Sequence, residues 1–167
     1  MNSITEITQP GKGLILAILL AGVAGGAVDA AYFSTSAILK GNSPVQVLQS
    51  IASFWIGRTA KDGGAAIAIL GAATHFGLAT IMAAGYAGVS LTNTFFRTKP
   101  LAAGACYGVF LYCVMYYLVL PARWPNTYPR FDGFRSIMDI FAHIGVALAI
   151  ALIITANTRS IAHREIG

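Results

Sequence analysis

Charged residues are scarce in this sequence. Only 10% of its 167 residues are Asp, Glu, Lys or Arg, whereas soluble domains carry about 25%. A water-soluble fold of this size would lack the charge to cover its surface, so that class of protein is excluded. The sequence also lacks the Walker A, HExxH and GxSxG motifs and a GxGxxG motif after a strand. No catalytic motif remains from which an enzyme would be predicted.

Cysteine is also rare, with Cys106 and Cys113 as the two examples. On a helix they would share one face at a separation of roughly 10 Å along the axis, too far apart for a disulfide. We interpret them as small apolar packing residues. Basic runs with interleaved aromatic residues are missing, so a nucleic-acid partner is not expected despite the net charge of +5. We interpret the basic excess as loop charge that faces the headgroups of a lipid bilayer.

Apolar residues, by contrast, make up 56% of the sequence and gather in four long stretches. Each stretch has about twenty residues or more, which at 1.5 Å per residue can cross a hydrocarbon core of roughly 30 Å. The sequence therefore predicts an all-α integral membrane protein, a single-domain bundle of four transmembrane helices at about residues 14–38, 63–89, 100–120 and 134–156. A cleaved signal peptide is disfavoured because the first stretch exceeds a normal signal-peptide core.

A different kind of segment, residues 43–59, lies between the first two stretches. Ser43 and Pro44 are typical of a helix N-cap followed by proline at the first helical position. On a helical wheel, one side is polar and the other apolar: Gln46, Gln49, Ser50, Ser53 and Gly57 against Val47, Leu48, Ile51, Phe54 and Trp55. This pattern predicts an amphipathic interfacial helix. Because its polar side carries no Lys or Arg, the helix could lie on lipid or fold onto the bundle.

The connection from Pro121 to Asp132 holds three prolines and is predicted to be a non-helical loop at the membrane interface. It shares one side of the membrane with the amphipathic segment. That side carries six Lys and Arg residues and the other side five, so charge alone does not decide the orientation. We predict cytoplasmic termini because the turn with Arg97 and Lys99 and the basic tail are compact and contain few acids. His163, in that tail, is expected to be solvated.

Four ionisable residues lie inside the apolar stretches: Asp29, His75, Asp139 and His143. A charged group costs on the order of 2.5 to 3.5 kcal/mol at a helix centre and needs a partner. Counting residues from the end nearest the amphipathic segment places all four in one half of the membrane. They are therefore the candidate site of this protein.

Neighbouring polar residues could support this site. Ser136 lies on the same helix face as Asp139, and a GxxxG pair of glycines accompanies Asp29 on the first span. Tyr112, Tyr116 and Tyr117 lie near the same end of the third span. Their hydroxyls could donate hydrogen bonds to the carboxylates, or the rings could form an aromatic belt.

Three interpretations of the cluster stay open. The Asp and His side chains could relay protons or bind a small solute, as ionisable groups do in transporters. His75 and His143 could instead ligate a haem of the b type or a metal ion. Asp29 and Asp139 could also simply satisfy the histidines and lock helix packing. The glycine-rich helix faces, which favour association, would suit a homo-oligomer or a non-catalytic accessory subunit of a larger membrane complex.

Two runs carry a resemblance that covers mainly the second half of the chain. The first extends from Thr74-His75-Phe76 to Gly85-Tyr86, and the second is Asp139-Ile140-Phe141-Ala142-His143 after a loop with Pro and Trp. Both runs are similar to the YagU-like family of small bacterial inner-membrane proteins, although the first loop of this chain is shorter. The resemblance implies a four-helix bundle in a bacterial inner membrane, with His75 and His143 as the matching histidines. It implies no biochemical activity.

Overall fold

The computed structural model describes residues 10–164, with side chains from 12 to 157, and within this part of the chain all regular structure is helical. Among the described residues, four helices are long and apolar enough to cross a membrane: Lys12–Leu39, Gly64–Thr92, Pro100–Arg123 and Gly133–Asn157. The predicted all-α bundle of four transmembrane helices is confirmed. The side chain of His163 lies outside the described residues.

The helices follow one another closely along the chain. They are α1 (Pro10–Leu39), α2 (Pro44–Ile56), α3 (Gly64–Thr92), α4 (Thr94–Thr98), α5 (Pro100–Val114), α6 (Leu120–Arg123) and α7 (Gly133–Arg164). A 3-10 helix, Gly57–Asp62, follows α2, and a π-helical segment, Met115–Val119, joins α5 to α6 into one continuous span. The spans end one to three residues later than predicted, because an apolar stretch marks the hydrocarbon core and the helix continues into the headgroup region.

The transmembrane helices pack in the order α3, α1, α7, α5, with α2 against α3. At the end near α4, the row closes where Tyr107 on α5 meets α3. Its hydroxyl donates to the Met82 carbonyl over 2.9 Å, and its ring meets the edge of Tyr86 at a centroid distance of 5.4 Å. The buried core lies at this end and consists largely of alanine, isoleucine and these tyrosines. Toward the α2 end, a cavity separates α3 from the third span.

The GxxxG pair on α1 brings α1 and α3 into close contact. A Cβ atom on Gly26 would lie 2.6 Å from Cδ1 of Phe76, and one on Gly22 would lie 2.6 Å from Cα of Thr80. Such distances leave no room for a side chain. The small residues therefore have the packing role that the motif predicts in membranes, and they align Asp29 with the level of His75.

α2 begins as the sequence predicts, with a capping box. The Ser43 hydroxyl accepts a hydrogen bond from the Gln46 backbone N–H over 3.3 Å, and the Gln46 side chain accepts one from the Ser43 N–H over 2.8 Å. The α-helix ends at Ile56, three residues before the predicted limit of 59. Gly57 has a φ of 74°, a conformation that ends an α-helix, and the chain continues as a 3-10 helix.

α2 folds onto the bundle rather than lying apart from it. Gln49 and Ser53, from the predicted polar side, are buried, whereas Trp55 is 62% exposed. The Gln49 amide donates to the Gly64 carbonyl over 3.2 Å, which satisfies a buried polar group. Of the two placements left open by the sequence, the structure has α2 packed against α3.

Two sequence-based expectations are wrong. Pro121 was predicted to lie in a non-helical loop, but it lies within α6. The π-helical segment before it makes this possible: the Leu120 N–H bonds to the Met115 carbonyl, and the wider turn accommodates a residue that has no N–H to donate.

Cys106 and Cys113 were interpreted as packing residues, but both are exposed on the outer face of α5, because the inner face is already filled by glycine, alanine, leucine and tyrosine.

Candidate functional site

A cavity of about 990 Å³ lies at the α2 end of the bundle. Its walls come from α1, α2, α3, α7 and the segment from Met115 to Trp124. All four ionisable residues singled out from the sequence line it: Asp29, His75, Asp139 and His143. Because the cavity lies between spans, these four groups meet in one cavity within the bundle.

Asp139 lies at the centre of a hydrogen-bond network. The residue is 9% exposed. Tyr32 on α1 donates to Oδ1 over 2.5 Å, and Tyr116 in the π-helical segment donates to Oδ2 over 2.8 Å. Both carboxyl oxygens therefore have a phenol partner, which offsets the cost of burying them. One carboxyl group thus links α1, the third span and α7.

Tyr32 was not identified from the sequence, although a signal existed. It follows Asp29 by three residues and so lies on the same face of α1. Tyr116 was identified as a possible supporting residue, and here it bonds the carboxyl group of Asp139. A wheel of α1 centred on Asp29 would have pointed to Tyr32 as a second donor.

Asp29 and His75 form a looser pair across the α1–α3 contact. His75 Nδ1 lies 3.8 Å from Asp29 Oδ2, with the His75 side chain 10% exposed and that of Asp29 32% exposed. His75 Nε2 lies 2.9 Å from the Gly26 carbonyl oxygen. A carbonyl oxygen only accepts hydrogen bonds, so Nε2 carries the proton. Nδ1, which faces Asp29, is therefore the nitrogen that can gain or lose a proton.

His143 has the opposite arrangement. Its Nδ1 lies 2.7 Å from the backbone carbonyl oxygen of Asp139, one turn earlier on α7. Nδ1 therefore carries the proton, and Nε2 is the nitrogen with a lone pair. The ring meets the edges of Tyr112 and Tyr116 at centroid distances of 5.7 and 6.0 Å, and these tyrosines hold its plane in place.

The remaining sequence candidates lie beside the cavity instead of lining it. The Ser136 hydroxyl accepts a hydrogen bond from the Asp132 backbone N–H over 2.8 Å, at the start of α7. Tyr112 is buried and stacks on Tyr116 with ring centroids 4.5 Å apart. Tyr117 is 53% exposed on the outer surface. Of the three tyrosines considered, Tyr116 is thus the one that bonds a carboxyl group.

The two histidines considered as ligands for haem iron or a metal ion are bonded differently. His75 has Nε2 on the Gly26 carbonyl and Nδ1 toward Asp29. His143 has the arrangement typical of a ligand, since its Nδ1 is held by a carbonyl and its Nε2 makes no hydrogen bond within the described residues. Among those residues, no group of three or more His, Cys, Asp and Glu is placed to hold a metal ion.

The mouth of the cavity is basic and is covered on one side by α2. Lys40, Lys61 and Arg135 line it. Arg123 fixes the C-terminal end of α2 to the third span, because its guanidinium donates to the carbonyls of Phe54 and Ser53 over 2.9 and 3.4 Å. The sequence places these four residues on the side of the amphipathic segment, but only the tertiary structure shows that they meet at the cavity, since loop basic residues in a membrane protein look alike in sequence.

Comparisons with models of known protein families, with curated proteins and with solved structures found no match. The similarity to YagU-like proteins stays a prediction. The function of this chain therefore has to be inferred from the side chains that line its cavity.

Proposed function

We propose that this protein moves protons, alone or with a small solute, through its intramembrane cavity. The observation that supports the proposal is that four ionisable side chains from three different helices line this one cavity. Such groups are costly at membrane depth, and where they occur they typically face a pathway for an ion, a proton or a solute. The helices that carry them are α1, α3 and α7, and they form one side of the cavity.

The Asp29 and His75 pair supplies a position at which a proton can be exchanged. At 3.8 Å the two side chains are beyond direct hydrogen-bond distance, so a small movement or one water can join them. His75 Nδ1 can accept a proton while Nε2 stays bonded to the Gly26 carbonyl. The ring would keep its place in both protonation states.

The Asp139 carboxyl group links protonation to helix contacts. As a carboxylate it accepts from both Tyr32 and Tyr116. When one oxygen becomes protonated, that oxygen is a donor and a poor acceptor, so one phenol bond weakens. Proton binding would thus favour a conformation in which α1 or the third span moves relative to α7, as alternating access requires.

Proton flux in proteoliposomes tests this proposal. A pH-sensitive dye inside the vesicles reports flux driven by a membrane potential. We expect Asp29→Asn, His75→Gln and Asp139→Asn each to lower the flux at least about tenfold, at equal folding by circular dichroism. Asp62→Asn is the control, because Asp62 is exposed and does not line the cavity. Equal fluxes for the wild type and all three site variants would contradict the proposal.

We also propose a bacterial inner membrane as the location, with both termini in the cytoplasm. The similarity to YagU-like proteins supports the membrane type. The compact, basic turn with Arg97 and Lys99 supports the orientation, because short basic loops stay in the cytoplasm. Association into a homo-oligomer or a larger membrane complex stays a prediction.

A haem or metal site with His143 as a single protein ligand is the second candidate. The bond from Nδ1 to the Asp139 carbonyl favours it, because this bond fixes the tautomer that coordination by Nε2 needs. A visible absorption spectrum and metal analysis of the purified protein test it, with His143→Ala as the comparison. A spectrum without a haem band, together with a metal content equal to that of His143→Ala, would exclude this candidate.

A further inference from the structure

The size of the cavity indicates an organic ligand. Its volume is about 990 Å³, whereas a water molecule occupies about 30 Å³ of liquid. A chain of waters that carries protons needs a small fraction of this space. Pockets of about 300 to 1,000 Å³ are typical of sites for drug-sized organic molecules. A ligand of that size would fill the cavity.

The walls indicate that this ligand has an apolar body. Between α3 and the third span the lining is aliphatic, with Leu78 and Ile81 on one side and Met115 and Val119 on the other. Ile81 is also 69% exposed at the bundle surface. The cavity therefore opens sideways, at the level where acyl chains would surround the bundle, and an apolar chain could extend through this opening.

The charges at the mouth indicate that the ligand is an anion. Within the described residues, no carboxylate lies within ion-pair distance of Lys40, Lys61 or Arg135. The deeper carboxylates contact other groups instead, since Asp139 accepts from two phenols and Asp29 lies beside His75. The mouth thus holds three cations that form no ion pair with any described carboxylate, at the depth of lipid headgroups.

We propose that the cavity binds an anionic amphiphile. Its acidic group would lie among Lys40, Lys61 and Arg135, and its apolar chain would lie against the aliphatic walls and leave through the side opening. The inference rests on the proposed transport function, for which it names the class of solute. Two sources share this chemistry, a free single-chain acid and an anionic phospholipid of the membrane.

Tryptophan fluorescence can report occupancy, because both tryptophans of the chain, Trp55 and Trp124, line the cavity. In a Trp55→Phe background Trp124 is the sole reporter. The protein is placed in nanodiscs of zwitterionic phosphatidylcholine and titrated with brominated stearic acid, whose bromine atoms quench a nearby indole. The brominated methyl ester, which has the same chain without the charge, controls for partition into the bilayer.

Two triple variants of equal charge decide whether the mouth binds the acid. The first triple variant removes the cations that line the cavity and consists of Lys40→Gln, Lys61→Gln and Arg135→Gln. The second triple variant removes three exposed cations that do not line the cavity and consists of Lys12→Gln, Arg58→Gln and Lys99→Gln.

We expect saturable quenching by the acid and not by the ester. The half-saturating concentration should rise at least about tenfold in the first triple variant and stay unchanged in the second. Equal quenching by acid and ester would show that the mouth does not select a free acid, and so would equal shifts of the half-saturating concentration in the two triple variants. Either result overturns the inference unless the phospholipid experiment that follows finds selective binding.

A second experiment separates the two sources. Nanodiscs that contain brominated phosphatidylglycerol are compared with nanodiscs that contain the same fraction of brominated phosphatidylcholine. If the anionic lipid quenches more strongly and this difference is lost in the first triple variant, the site binds a phospholipid. If only the free acid quenches, the site binds a single-chain amphiphile. Absence of both overturns the inference. Quenching reads occupancy alone, so its failure is distinguishable from a failure of the flux experiment, which tests the proposed function.

Discussion

Asp139 is the residue on which most of the site's side-chain bonding depends. A buried carboxyl group is stable only when its oxygens have partners, and here both partners are phenols from other parts of the chain. The same group therefore stabilises the packing of α7 against two neighbours and provides a position that a proton can occupy. The structural role and the proposed functional role coincide at this residue.

Tyr116→Phe tests the contribution of one of these bonds. The variant removes the hydroxyl that donates to Asp139 Oδ2, and we expect a loss of about 1.5 to 3 kcal/mol in the free energy of unfolding, the range for hydrogen bonds to charged groups. Tyr117→Phe is the matched control, since Tyr117 is exposed and next in sequence, and should change the value by less than about 0.5 kcal/mol. Unfolding in mixed micelles of increasing SDS fraction measures both. Equal losses would contradict the role assigned to Tyr116.

The two site histidines should be in opposite tautomers when neutral. His75 has its proton on Nε2 because of the Gly26 carbonyl, and His143 has its proton on Nδ1 because of the Asp139 carbonyl. Solid-state NMR of ¹⁵N-histidine-labelled protein distinguishes the two nitrogens, and His75→Gln and His143→Gln assign the signals. The same tautomer at both residues would show that one of these backbone bonds is absent.

At the scale of elements, α2 is the helix whose placement defines the site. It covers part of the cavity, and it is held by a capping box at its start, by Arg123 at its end and by Trp55, whose indole N–H donates to the Thr74 hydroxyl over 2.9 Å. Its apolar residues at the outer surface suit contact with lipid, and its buried Gln49 and Ser53 suit the bundle. Gln46 and Ser50 from the predicted polar side are exposed, so the buried face of α2 follows neither the polar nor the apolar side alone.

Gly71→Ala should displace α2 from α3. A Cβ atom at this position would overlap the Leu48 carbonyl, which belongs to the backbone and cannot turn away, so we expect a loss of about 1 to 3 kcal/mol in stability. Faster hydrogen exchange in residues 44–56 should accompany it. Gly88→Ala on the same helix is the control, because no atom lies within 4 Å of its added Cβ. If both variants exchange like the wild type, α2 does not depend on this contact.

At the scale of the whole molecule, the helices form a row that closes at one end and opens at the other. The aromatic contact between Tyr86 and Tyr107 joins α3 to α5 near α4. At the α2 end, the cavity lies between the same two helices. This asymmetry gives the protein one polar, accessible side and one packed, apolar side, and it places the ionisable groups on the former.

Cysteine labelling tests the arrangement of the loops. Replacement of Cys106 and Cys113 by serine should leave the fold intact, because both are exposed on the outer face of α5. In that background, a membrane-impermeant maleimide added to intact spheroplasts should label Asn42→Cys and Asn126→Cys but not Thr98→Cys. The reverse pattern would invert the proposed orientation. Labelling of Asn42→Cys without Asn126→Cys would contradict the shared side of α2 and the proline loop.

The sequence by itself determined the class of fold and the four ionisable residues of the candidate site. Four long apolar stretches predict helices that cross a bilayer, because a helix satisfies its own backbone hydrogen bonds. The ionisable residues stand out for the same reason, since a charge within such a stretch is costly wherever the helix packs. The start of α2 was also predictable, because a capping box involves only residues that are three apart.

Only the tertiary structure decided which groups meet. Tyr32 and Asp139 are 107 positions apart in sequence, and Arg123 and Phe54 are 69 apart; such contacts depend on how helices rotate and cross. A sequence gives the period of a helix but not its rotation toward its neighbours. The same limit applies to the cavity and its basic mouth, because an empty volume is set by several helices together and leaves no pattern in any one of them.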